Sequence, residues 1–180
     1  RKRVLIDAAM VDGASVLMSL IYSRLHMGQW QDERAANPLD GGRPWYDTYR
    51  TRDGHRMAVG ALEPKFYANL TAVLGLNDLP AREDSRNWPA IRQAFEDTFA
   101  TRTRDEWTEV FQGTDACVSP VLGMTEAISS PHLSMRGTYS QHHGEVVPAP
   151  APVFGGRRFS LARPAVFSDA MDAVVGWGGR

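Results

Sequence analysis

The chain has 180 residues, with 20 basic and 21 acidic side chains and a formal net charge of -1. That balance argues against a dedicated nucleic-acid binder, which carries a strongly basic face. A hydrophobic fraction of 43% suffices for a real core, and a single cysteine excludes an internal disulfide framework and any paired-cysteine metal or redox site.

No run of about 18 apolar residues offers a membrane span. The lone cysteine fits a reducing, cytoplasmic compartment. The chain opens Arg1-Lys2-Arg3 rather than with Met, and is expected to be an internal piece of a longer product. Asp7 and Asp12 interrupt the apolar stretch after Val4-Leu5-Ile6, which a secretory signal does not tolerate.

The first predicted element is one long helix from Val4 to about Trp30, apolar on more than one face and so expected to be covered by more protein. Gln31 to Arg43, polar and ending Asp40-Gly41-Gly42-Arg43-Pro44, reads as a linker. A hairpin follows, with strands Trp45–Arg50 and Arg56–Ala61. Asp53-Gly54 is expected to form a tight two-residue turn in which both central residues take positive φ.

Pro64 suits the first turn of a helix whose inward face is Phe66, Leu70, Val73 and Leu74, closed by Gly75. A third helix spans Pro89 to Thr101, with Ile91, Phe95 and Phe99 inward. Thr103 and Glu106 have capping-box spacing for a fourth, carrying Trp107, Val110 and Phe111. Cys117 to Leu122 reads as a short strand, Thr125–Ile128 and Pro131–Arg136 as helical turns, and Tyr139–Val147 as a hairpin about Gly144. Val147 to Val153 reads as an extended proline-rich spacer.

The expected class is α+β: a small antiparallel sheet with surrounding helices, flanked by a long N-terminal helix and an extended C-terminal linker. Residues 1–43 are the connecting helix and linker, 44–147 the small domain, and 148–180 the returning linker and tail.

Residues able to carry chemistry are few. Glu63 stands where a strand meets a helix. There the free N–H groups and dipole of the helix favour an ionised, oriented carboxylate, one that could align a histidine; equally, it could be a simple N-cap. His142 and His143 with Glu145 hint at a metal, but neighbours in a strand point to opposite faces and chelate poorly, so no metal site is expected. His55 reads as an exposed turn residue. Cys117, among apolar neighbours, reads as a buried small hydrophobe.

Three stretches carry a resemblance. They are Gly41-Gly42-Arg43-Pro44-Trp45-Tyr46-Asp47-Thr48-Tyr49, then Asp53-Gly54, then Val59-Gly60-Ala61-Leu62-Glu63-Pro64-Lys65-Phe66-Tyr67. Ile6-Asp7-Ala8-Ala9-Met10-Val11-Asp12-Gly13, Asp115-Ala116-Cys117-Val118-Ser119-Pro120-Val121-Leu122, Pro131-His132-Leu133 and Arg136-Gly137-Thr138-Tyr139 extend it. Together, from Val4 to about Pro152, they resemble the 2-methylacyl-CoA racemases of the family III CoA-transferase superfamily.

The resemblance implies inversion at C2 of a 2-methyl-branched acyl-CoA through an enolate, in an interlocked homodimer. It implies no metal or redox cofactor, coenzyme A being part of the substrate. Family members are about twice as long, and a larger N-terminal domain holds their catalytic Asp and His. This chain therefore resembles the C-terminal portion, inactive alone. Glu63 corresponds to the acid that hydrogen-bonds the catalytic histidine across the subunit boundary. Leu39, Tyr46 and Leu62 would line the acyl pocket, and Met10 would belong to the methionine-rich surface under the acyl chain. CoA transfer between acids is the alternative within the superfamily, disfavoured because Ala61-Leu62-Glu63-Pro64 replaces a glycine-rich loop. A non-catalytic dimerisation or binding module is the alternative outside it.

Overall fold

A computed structural model describes residues 6 to 159. Contacts divide the chain into one unit running through Val121 and another from Leu122. Each is treated by itself.

The first unit begins with two helices where one was expected: α1, Met10–Leu17, and α2, Ser19–His26. Val4 and Leu5 lie outside the described residues. The break at Met18 has a local cause. Ser15 and Ser19 turn their hydroxyls back onto the Val11 and Val16 carbonyls at 2.8 and 2.6 Å. The Met18 N–H is shared between the Ala14 and Ser15 carbonyls, both at 3.2 Å. Such back-bonding competes with the helical ladder and bends it.

Gln31 to Arg43 is more than a polar linker, because Asn37 is 2% exposed and organises it. The Asn37 amide accepts from the Gln31 N–H at 2.8 Å and donates to the carbonyls of Gln31 and Glu33 and to Asp40. Asp40 in turn accepts from the Asn37 and Gly42 N–H groups. The loop folds so tightly that a Cβ on Gly42 would lie 2.6 Å from the Asn37 backbone nitrogen and oxygen, so only glycine fits.

The sheet follows: β1, Tyr46–Arg50, β2, Arg56–Gly60, and β3, Val118–Pro120, antiparallel in the order β1-β2-β3. The β1–β2 turn differs from the two-residue form expected. Thr51 N–H donates to His55, and Gly54 alone among the turn residues has positive φ, at 84°. The three-residue loop Arg52-Asp53-Gly54, with glycine left-handed, satisfies the strand twist equally well.

Strand periodicity sorts the side chains. Tyr49, Met57 and Val59 face the core with 2%, 0% and 5% exposure. There they meet α3, Pro64–Leu74, α4, Trp88–Phe99, and α5, Arg104–Phe111. The inward residues are those the helical spacing assigns: Leu70 and Leu74, then Ile91, Phe95 and Phe99, then Trp107 and Phe111. Tyr49 stacks on Phe99 at 5.3 Å and meets Phe95 edge-on at 5.6 Å. Its hydroxyl donates to the Pro44 carbonyl, and burial drives its pKa up. The capping box of Thr103 and Glu106 is formed, and Gly75 closes α3 at φ 72°.

The second unit contains α6, Met124–Ser129, α7, Pro131–Arg136, and a hairpin of β4, Tyr139–His142, with β5, Glu145–Pro148. Here the two-residue turn with two positive φ values does occur, at His143 (51°) and Gly144 (85°). His143 therefore leaves the strand. Its ring lies 4.4 Å from that of His142 rather than on an opposite face. Pro148 and its predecessor pair with β4, so the proline-rich spacer begins inside a hairpin. The tail beyond residue 159 lies outside the described residues.

Candidate functional site

The face of the sheet turned away from the core is a groove of about 440 Å³. Its floor is made of small residues at paired positions. Thr48 stands opposite Ala58, Ala58 opposite Ser119, and Tyr46 opposite Gly60. Because every second residue shares a face, this floor follows from the same alternation that buries Tyr49 and Met57. Asp40 and Gly41 form one wall, and Cys117 lies on the other side.

Tyr46 is thus placed in the groove, and Leu39 belongs to the loop that forms its wall. Leu39 is 40% exposed. Leu62 is half-buried against the core, just past the end of β2. Met10 lies on α1 and is 91% exposed.

Glu63 occupies the N-cap of α3 with extended backbone, at φ -72° and ψ 147°. Its side chain nevertheless makes no cap hydrogen bond and is exposed, so the helix N-terminus does not orient it as expected. The segment before it is held instead. Arg82 lies over the rings of Tyr67 and Trp45, at 4.6 and 5.1 Å, and reaches the Leu62 carbonyl. Beside Glu63, Lys65 pairs with Asp115 at 2.6 Å, and this bond raises the lysine pKa.

Cys117 departs from its expected role as a buried hydrophobe: it is exposed, with φ 53°. The left-handed backbone turns its side chain out, and Ala116, 1% exposed, takes the core position instead. Partial desolvation, then the charges of Asp115 and Glu63, raise the thiol pKa, which makes it a poor nucleophile. His55 is exposed, as a turn residue should be. Among the described residues, no three His, Cys, Asp or Glu side chains gather to hold a metal ion.

Sequence reasoning missed Asp47 and Arg92. Asp47 accepts from the Thr48 N–H with one oxygen and pairs with Arg92 through the other, while Arg92 also donates to the Gly41 carbonyl at 2.7 Å. A signal was present. Asp47 shares parity with the core residue Tyr49, and a carboxylate on that face calls for a cation.

The model of CoA-transferase family III matches residues 2–169, and the chain belongs to that family. It is 43% identical to the alpha-methylacyl-CoA racemase of Mus musculus over 95% of its length, covering 44% of that relative. Against the alpha-methylacyl-CoA racemase of Homo sapiens it is 41% identical over 97% of its length, covering 45%. The chain thus spans less than half the length of these curated relatives. A crystal structure of a CaiB/BaiF family protein from Brucella suis superposes with a TM-score of 0.69, covering 96% of this chain and 47% of that one at 18% identity, and so bears out the α+β fold. Among the described residues, no helix is long and apolar enough to cross a membrane.

Proposed function

We propose that this chain is the C-terminal, small-domain portion of an alpha-methylacyl-CoA racemase, which in complete form epimerises C2 of 2-methyl-branched acyl-CoA thioesters. The observation that carries this reading is the identity to two such racemases along nearly the whole chain.

In the reaction one group removes the C2 proton, the electron pair is held as an enolate thioester, and a second group returns a proton to the opposite face. Acid and base must flank the carbon with matched pKa values. Both belong to the large domain, so this chain alone lacks a complete site. Its contribution is Glu63, presented from a fixed strand–helix junction to the catalytic histidine of the neighbouring subunit. An exposed carboxylate that is not used to cap its own helix supports that role. Leu39, Tyr46 and Leu62 bound the acyl group, and Met10 lies under its chain. The enzyme is an interlocked, cytoplasmic homodimer acting in lipid metabolism without metal or redox cofactor. Met10, Val16, Leu17 and Leu20, each more than half exposed here, support a cover supplied by further protein.

The test is C2 proton exchange with a 2-methylacyl-CoA in deuterated water. The full-length polypeptide carrying this sequence exchanges and the isolated chain does not. Glu63→Gln lowers kcat about tenfold or more, because a histidine left unoriented loses part of the roughly 10²–10⁴-fold that a positioned acid or base supplies, and leaves the melting temperature in place. Exchange by the isolated chain would refute the incomplete site, and unchanged kcat and kcat/KM would remove Glu63 from the mechanism. A trapped covalent aspartyl-CoA would point to CoA transfer instead.

A further inference from the structure

One wall of the groove beside Tyr46 is not part of the sheet. It is the loop carrying Asp40 and Gly41, and a side chain from the opposite side of the sheet holds it in place. Arg92 projects from α4, which packs against β1. Its guanidinium pairs with Asp47 and donates to the Gly41 carbonyl at 2.7 Å, and both of these residues line the groove.

Three features separate this contact from an ordinary surface ion pair. First, the two side chains are only 31% and 28% exposed, so solvent screening is reduced. Second, Arg92 bonds two partners at once through a planar fork, which the single ammonium of lysine cannot reproduce. Third, Asp47 is fully engaged by Arg92 and the Thr48 N–H, so it is a strut rather than an acid or base. On the other side of Gly41, Asp40 ties the loop to Asn37. Leu39 lies between these two anchors.

We infer that Arg92 is a positioning residue for acyl recognition. By fixing the Gly41 loop to Asp47 it sets how far the groove stays open past Leu39 and Tyr46, and so selects the length of acyl chain that fits there. The inference rests on the racemase reading above and adds to it a determinant of substrate choice that never touches the reacting carbon.

The experiment uses the full-length enzyme and 2-methylacyl-CoA thioesters of short, medium and long chain. Arg92→Met raises KM for the preferred length about tenfold while kcat stays within about threefold, the signature of lost uniform binding. It also flattens the dependence of kcat/KM on chain length. Arg92→Lys falls between, because one of the two bonds survives. A change in fold stability alone would not alter length preference in the remaining folded enzyme.

Folded Arg92→Met enzyme with wild-type KM and wild-type length preference overturns the inference. If that variant does not fold, Arg92→Lys with an unaltered KM and profile overturns it. A wild-type enzyme that fails to exchange C2 protons refutes the racemase reading instead. The variants are then compared by calorimetric binding of the same thioesters: affinity and length dependence equal to wild type overturn the inference, and about tenfold weaker binding supports it.

Discussion

Asn37→Ala probes whether the segment before the sheet is a built element or a tether. The Asn37 side chain makes four hydrogen bonds at 2.8 to 3.2 Å from a residue that is 2% exposed. Each is worth about 1 kcal/mol net, and a buried group left without a partner costs about 1–3 kcal/mol. Three of the freed groups lie on the exposed residues Gln31 and Glu33 and regain water, so the expected loss is about 3 kcal/mol. For a chain of this size, about 2–4 °C per kcal/mol puts the fall in melting temperature at about 6–12 °C. Urea denaturation followed by tryptophan fluorescence measures it, since Trp45 lies in the core directly after the loop. Asn37→Asp gives a second reading. It removes the amide donors and sets a carboxylate against Asp40, so it destabilises more at neutral pH than in acid. A loss below about 0.5 kcal/mol for Asn37→Ala, the level of an ordinary surface change, would show the Asn37 bonds to be dispensable and restore the segment to a linker.

The Thr51 hydroxyl and then the Arg104 backbone N–H hold the Asp53 carboxyl below its usual range. Its folded pKa lies under the unfolded value of about 3.9, so its stabilisation is full above that value and is lost as pH falls through the folded one. Asp53→Asn should therefore show a shallower acid limb in urea midpoints taken from about pH 6 downward; parallel limbs would disprove the assignment. Cys117 is exposed yet has a raised pKa, so alkylation by iodoacetamide at neutral pH should be slower than for a model thiol. Reaction faster than the model thiol would show that the charges around it act otherwise.

The elements legible in the chain are those whose causes lie within a few residues. The i, i+4 spacing of Ile91, Phe95 and Phe99 fixed the inward face of α4, and Thr103 with Glu106 marked the start of α5. Pro64 and Gly75 bracketed α3. Each is a local rule of helix geometry or capping, and each holds in the folded molecule. The turns were less legible. Asp53-Gly54 satisfies two hairpin geometries, and the register Arg50 to Arg56, together with the bond from Thr51 to His55, selects the longer. The motif around Tyr46 and Glu63 could be recognised by its residues, whereas the direction of the Glu63 side chain could not.

From β1 to α5, residue order, through periodicity and capping, was enough to specify which segments are helix or strand and which of their faces turn inward. It could not specify the groove wall. Arg92 meets Asp47 across 45 positions and Gly41 across 51, and no local pattern encodes a bond between residues that far apart. The outward turn of Cys117 and the buried knot at Asn37 are of the same kind. Both depend on a backbone path set by the packing of distant elements, and that packing exists only once the chain has closed around its core.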